Sequence, residues 1–293
     1  MRIAIFGKTF SERFYPGIKE LYNIFLSKQV QVLIYAPFNQ FIQSLSLDLP
    51  KVKLSTFTSF DDLDRETDLM ISIGGDGTFL ETITYIRNLG IPIIGINTGR
   101  LGFLANIAQP EIKTAMESIF NHHYSYEPRS LLHLKGSAGN FANFRYALNE
   151  VTVQKEGSNM ITVKVYLNDD LLNIYWTDGL IISTPTGSTA YSLSVGGPIA
   201  TPDCSNFIIS PIASHNLSVR PIVIPDHYKL KLIIESRDKQ FLLTLDSRTE
   251  VVDQPLEIEI EKSEFFVRML KLKNTKFPAT LRNKLLWGAD KRN

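Results

Sequence analysis

The sequence predicts an α/β fold with a parallel sheet in its first part and a β-rich second part, and three observations carry that prediction. Residues 1–100 alternate short apolar strands with helical segments, the pattern of a parallel sheet covered by helices. From about residue 125 the pattern becomes strands alternating apolar and charged positions, as half-buried strands do. The closing segment "FPATLRNKLLWG" places Leu281, Leu285 and Leu286 at helical spacing before Gly288, and is expected to return to the first domain. The expected domains are 1–105, joined by about 276–293, and 106–275.

Taken in order, residues 2–6, 30–36, 69–73 and 91–96 are predicted strands. A helix is predicted over 79–89, with Phe79, Ile83 and Ile86 on one face, closed by Gly90 and followed by Pro92. "ITVKVYLNDDLLNIYW" (161–176) predicts a hairpin turning at Asn168-Asp169. "YKLKLII" (228–234) and "PLEIEIE" (255–261) predict further half-buried strands.

At 293 residues and 44% hydrophobic, the chain can bury one large core or two modest ones. Its 31 Lys and Arg nearly cancel its 30 Asp and Glu, so no general attraction to nucleic acid is expected. A single cysteine, Cys204, cannot make an internal disulfide; it is expected to be a small core thiol, in a reducing, cytoplasmic setting. No apolar run approaches the ~20 residues needed to span a membrane, and the apolar start breaks at Gly7, too short for a signal peptide. A soluble chain is expected.

Three motifs carry chemistry. In "GGDGT", Gly74, Gly75 and Gly77 occupy a strand-to-helix turn with Thr78 behind them, where bare N–H groups and a helix N-terminus attract anions. Asp76 would repel phosphate, which suits a carboxylate acting on something else; the plain alternative is an Asp76 cap on the following helix. The motif is neither a P-loop nor a G-x-G-x-x-G fingerprint. In "TDGLIISTPTGSTAYSLSVGGPIA" (177–200) an apolar strand runs into six small residues, Thr184 to Thr189, four of them hydroxylic. Such a surface approaches a polar ligand closely, and Tyr191 could stack on a ring; a Ser/Thr-rich surface turn is the alternative. Asn149-Glu150 could share the two hydroxyls of a ribose, or be a polar strand edge. No hydrolase triad, H-E-x-x-H or spaced Cys/His set is present. His122 and His123 are expected to be solvated, while His215 stays open between pocket and packing.

Together, "GGDGTFL", "NTGRLGFLA", Asn149-Glu150 and the long 177–200 motif resemble the NAD kinases, which phosphorylate the adenosine ribose 2′-hydroxyl of NAD with ATP. The resemblance implies a Rossmann-like first domain, a β-sandwich-like second domain, and homodimers or homotetramers. It implies that Asp76 and Gly77 contact NAD, with Asp76 as proton acceptor, and that Gly74, Gly75, Gly77 and Thr78 take ATP phosphate. Asn149 and Glu150 would hold ribose hydroxyls or the neighbouring dinucleotide. Asp178 and the run Thr189, Ala190, Tyr191, Ser192, Leu193 and Ser194 would line the nicotinamide and adenine portions. Mg²⁺ would ride on the ATP phosphates. Three positions depart from the family pattern: Glu81 and Trp176 stand where basic residues are frequent, and Arg248 where Gln is common. These changes would redistribute contacts to the anionic substrate. The competing reading is a lipid or sugar kinase sharing the "GGDGT" loop, against which the 177–200 motif counts; a non-catalytic dinucleotide-binding regulator would have no use for Asp76.

Overall fold

Strand β1 (Arg2–Gly7) opens the first of two compact units, Met1–Pro128 with the chain from Val267 onward; the second is Arg129–Phe266. The computed structural model describes residues 1–99, 102–136, 138–141, 144–273 and 277–285. The predicted helical positions Leu286 and Gly288, and residue 276 and residues 286–293 of the returning segment, lie outside the described residues.

In the first unit, β1 is followed by α1 (Tyr15–Ser27), β2 (Gln31–Tyr35), α2 (Ala36–Ser44), β3 (Leu54–Phe57), β4 (Leu69–Gly74), α3 (Asp76–Ile86), β5 (Ile93–Asn97) and α4 (Ile112–Phe120). The strands pair in parallel in the order β3-β2-β1-β4-β5, as the strand–helix alternation predicts. Helix α1 starts with Pro16 in its first turn and buries Ile18, Leu21, Tyr22 and Phe25 on one stripe. That stripe meets Ile112, Ala115, Met116 and Ile119 of α4 in one apolar core. A Cβ at Gly17 would stand 3.1 Å from Ile112 Cδ1, so glycine permits this close helix contact. Residues 106–128 therefore lie in the first unit, whereas the sequence places the domain boundary at 105/106. No helix among the described residues is long and apolar enough to cross a membrane.

The chain continues through β6 (Tyr124–Lys135), β7 (Tyr146–Ala147), β8 (Glu150–Lys155), β9 (Ile161–Leu167), β10 (Asp170–Thr177), β11 (Gly179–Ser183), the short helix α5 (Tyr191–Ser194) and β12 (Asn206–Ile212). Then follow β13 (Ile222–Pro225), β14 (Leu230–Glu235), β15 (Gln240–Leu245), β16 (Arg248–Asp253), β17 (Leu256–Leu272) and α6 (Phe277–Leu285). The second unit holds the antiparallel sheet β13-β12-β11-β8-β15-β16 and the antiparallel run β10-β9-β14-β17. Their apolar faces share one core, with Val151, Leu180, Phe207 and Leu243 from the first and Val163, Leu232 and Ile258 from the second. The β9–β10 hairpin turns at Asn168 (φ 47°) and Asp169 (φ 75°), two residues tolerant of left-handed backbone. Strand β17 outruns its predicted 255–261; its end pairs with β5 through Met269 and Ile93, and Leu270 enters the first unit's core.

Two further details differ from the sequence reading. Helix α3 starts at Asp76 and ends at Ile86, because Arg87 adopts φ 42° and breaks the repeat before Gly90. Cys204 is half-buried in a turn beside the Thr201 hydroxyl at 3.2 Å, rather than in the core.

Candidate functional site

In the first unit, β4 is buried along its whole length and delivers Gly74 and Gly75 to the start of α3. The first intrahelical bond runs from Phe79 N–H to the Gly75 carbonyl, so the Gly77 and Thr78 N–H groups have no acceptor within the helix. Asp76 stands at the positive end of the helix dipole. It caps nothing: its side chain turns to the loop after β5. Oδ2 accepts the Phe103 N–H at 2.8 Å, and Oδ1 accepts those of Leu104 at 3.0 Å and Ala105 at 2.9 Å. A Cβ at Gly102 would collide with this carboxylate, so only glycine fits there. Asn97, buried at the end of β5, holds the same loop through Gly99 N–H to Oδ1 at 2.7 Å and Nδ2 to the Ala105 carbonyl at 3.3 Å.

The glycines of "GGDGT" have unequal reasons. A Cβ at Gly74 would strike the Thr78 side chain, whereas at Gly75 and Gly77 nothing lies within 4 Å. The fold requires the first and is indifferent to the other two. Bare backbone at 75 and 77 suits the close approach of a ligand.

In the second unit the organising residue is Asp246, which the sequence reading missed. It lies in the tight turn between β15 and β16 with φ 54°. Its carboxylate accepts the N–H groups of Leu148 (2.9 Å), Asn149 (2.7 Å) and Glu150 (3.2 Å). Burial pushes the Asp246 pKa up, opposed by these three N–H groups and by Arg248. Glu150 lies 7% exposed with Oε2 unpartnered among the described residues. Burial, then the charge of Asp246, pushes its pKa up to about 8, against a hydrogen bond from the Tyr191 backbone. Two neighbouring buried carboxyls thus hold protons unusually well, a common sign of a working site.

The Thr184–Thr189 turn lies directly on this segment. Thr184 N–H donates to the Asn149 carbonyl at 2.9 Å and its hydroxyl to the Leu148 carbonyl at 2.5 Å. A Cβ at Gly187 would collide with the Asn149 carbonyl. The Ser188 hydroxyl bonds the Pro185 carbonyl (2.7 Å) and the Ser192 hydroxyl faces Ser210 (3.1 Å). Most hydroxyls of the motif therefore serve the fold, contrary to the expectation that they offer themselves to a ligand. Thr189, Ala190 and Leu193 are half-buried, Tyr191 and Ser194 exposed, and Ser192 buried. The Tyr191 hydroxyl accepts from Gln154 Nε2 at 2.9 Å, which holds the ring at the surface. Asp178 is paired with Lys155 at 2.7 Å. Asn149, Glu150, the Thr184–Ser194 run and Asp246 thus share one neighbourhood, while Asp76 and its loop belong to the first unit.

The three departing positions have structural occupations. Glu81 pairs with Lys8 at 2.5 Å. Trp176 is 57% exposed on β10, with Nε1 donating to the Thr162 hydroxyl at 2.8 Å. Arg248 donates to the Phe144 and Tyr146 carbonyls, both at 2.5 Å. His215 is exposed, its backbone N–H bonded to the Trp176 carbonyl at 2.8 Å. Among the described residues no cluster of His, Cys, Asp or Glu could hold a metal ion.

Comparison with known proteins matches residues 5–124 to the ATP-NAD kinase N-terminal domain and residues 148–272 to the ATP-NAD kinase C-terminal domain. The NAD kinase of Flavobacterium johnsoniae is 45% identical over 296 residues, covering 100% of both chains. That of Cytophaga hutchinsonii is 42% identical over 294 residues, again covering 100% of both. Yeast NADH kinase complexed with NADH shares the fold, with TM-score 0.86 at 20% identity over 99% of this chain and 88% of that one. An NAD kinase from Archaeoglobus fulgidus in complex with ATP gives TM-score 0.70 at 26% identity, covering 93% and 94%.

Proposed function

The chain belongs to the ATP-NAD kinase family and is an enzyme that phosphorylates NAD with ATP, and we propose that the acceptor is the 2′-hydroxyl of the adenosine ribose, with Asp76 taking its proton. The observation that carries this reading is the Asp76 carboxylate, fixed by three backbone N–H groups at the head of α3. A carboxylate offers about four lone-pair directions, so one stays open on Oδ2 for a hydroxyl. The adjacent Gly75 and Gly77 leave room for phosphate against bare backbone.

Asn149, Glu150 and the Thr189–Ser194 stretch with Asp178 are assigned to NAD. Glu150, largely protonated near neutral pH, can both donate to and accept from ribose hydroxyls. Within Thr189–Ser194 the contacts fall to backbone groups and to the Tyr191 ring, since Ser192 points inward. Mg²⁺ neutralises charge on the phosphate chain of the donor when bound. It would be carried mainly by the substrate phosphates, as Mg²⁺ commonly is in kinases. The exposed Leu171, Ile174 and Trp176 on the sheet-edge strand β10 support assembly as a homodimer or homotetramer. A lone cysteine without a disulfide partner supports a reducing, cytoplasmic setting.

The test incubates purified protein with ATP, Mg²⁺ and NAD, and reads NADP with an NADP-specific enzyme. NADP should form, and diacylglycerol, sphingosine or fructose 6-phosphate should not be phosphorylated. Formation of a phosphorylated product that the NADP-specific enzyme rejects would place the phosphate on another hydroxyl.

A further inference from the structure

A cavity of about 510 Å³ opens in the first unit between the loop that clamps Asp76, helix α4 and helix α6. Gly102, Asn106, Ser118, His123, Lys273 and Lys284 are among the residues lining it. Gly102 lies so close to the Asp76 carboxylate that a Cβ there would collide with it, so the cavity reaches the back of the proposed reaction centre.

Lys284, in the last turn of α6, is the unusual member. Its Nζ is shut off from solvent and has no hydrogen-bond partner among the described residues. Burial holds its pKa below the usual lysine range, and the charge that pulls it back is that of Asp76. Yet the two form no ion pair among the described residues, because the Asp76 oxygens are turned to Phe103, Leu104 and Ala105. Glu111, on the same cavity, is engaged with the Ala108 N–H at 2.8 Å. An enclosed ammonium without a partner is costly. Beyond the pull of Asp76, which makes no hydrogen bond to it, no described group engages this charge, so an anionic ligand is the natural complement.

We propose that this cavity receives the phosphate chain of the donor and that Lys284 contacts the transferred phosphoryl group. The proposal rests on the reading that this enzyme phosphorylates NAD at the Asp76 centre. In the transfer, the acceptor oxygen bonds to the γ-phosphorus as the bond to the β,γ-bridging oxygen breaks. That electron pair leaves with ADP, and the hydroxyl proton passes to Asp76. Lys284 keeps its proton and neutralises charge on the γ-oxygens, the service that such transition states require.

Lys284→Met keeps the length of the side chain and removes its charge, while Lys284→Arg keeps the charge. In the full chain, Lys284→Met should lower kcat/KM for ATP by about 10²–10³-fold, the cost of one preorganised donor. KM for NAD should stay within about threefold, and Lys284→Arg should retain activity to within about tenfold. The ligand-free Tm of Lys284→Met should match or exceed the wild type, since an uncompensated charge has been removed. Inorganic tripolyphosphate and ATP–Mg²⁺ should each raise the Tm of the wild type, and neither shift should survive in Lys284→Met. Undiminished shifts in Lys284→Met, or a wild-type kcat/KM for ATP, would overturn the proposal. A wild type that gives the tripolyphosphate shift but no NADP would instead remove the functional reading and leave the phosphate site standing.

Discussion

At the scale of single residues, two buried or clamped carboxylates make opposite demands. Asp76 accepts three backbone N–H groups. In Asp76→Asn one oxygen becomes an NH₂ that faces a donor, so the apparent isostere is not neutral to the fold. Unfolding free energy should drop by about 1–3 kcal/mol, the cost of an unsatisfied buried donor. Turnover of the folded enzyme should fall by about 10²–10⁴-fold, the usual worth of general-base assistance. Denaturant unfolding and saturated kcat read the two effects separately; a kcat within about threefold of wild type would leave Asp76 as a loop clamp alone. Glu150 behaves differently. A carboxyl whose pKa rises from 4.5 to about 8 on folding binds its proton more tightly in the native state. Its contribution to stability is therefore full below pH 4.5 and is lost as pH rises through about 8. Tm should fall between pH 6 and pH 9, and Glu150→Gln should flatten that slope; parallel slopes in the two proteins would refute the assignment.

At the scale of elements, the glycines separate folding from function. Helix α3 begins at Asp76, so Gly77 is helical, and a Cβ there meets nothing within 4 Å. Gly77→Ala should stabilise the protein by about 0.5–1 kcal/mol and still reduce activity, because the methyl group occupies the space assigned to phosphate. Gly102→Ala should do the reverse in stability, losing about 1–3 kcal/mol or more as the Cβ meets Asp76. Thermal unfolding and turnover, measured side by side, check the contrast; a destabilised Gly77→Ala would contradict it. Strand positions and the Asn168-Asp169 hairpin were legible because period and turn chemistry are local, and Asp76, Asn149 and Glu150 could be put forward as site residues because they lie in short motifs. The partners of those residues were not legible. Asp246 and Lys284 lie 96 and more than 200 positions from the groups they face, and nothing in a local window announces such contacts. The hydroxyls of 184–192 misled for the same reason, since a serine bonded inside a turn and one offered to a ligand look alike in sequence.

At the scale of the whole molecule, the first unit is discontinuous: its sheet is built by 1–128, but β5 takes its outer partner from β17 and the core takes Leu270. A fragment of residues 1–128 should therefore show weak helical circular dichroism, no cooperative melt and a tendency to associate through β5. Cooperative unfolding of that fragment would show that the later strand is dispensable. The arrangement also has a consequence for the newborn chain. At ~5–20 residues per second, a ribosome needs roughly 7–28 s between completing Pro128 and completing Met269 of the strand that seals the sheet. Through that interval the apolar edge Ile93–Asn97 is present without its neighbour. The second unit, continuous in sequence, can close within its own stretch of synthesis. The middle of the chain can thus close before its two ends are joined, and the unit that carries Asp76 is the last to become safe from its neighbours on the polysome.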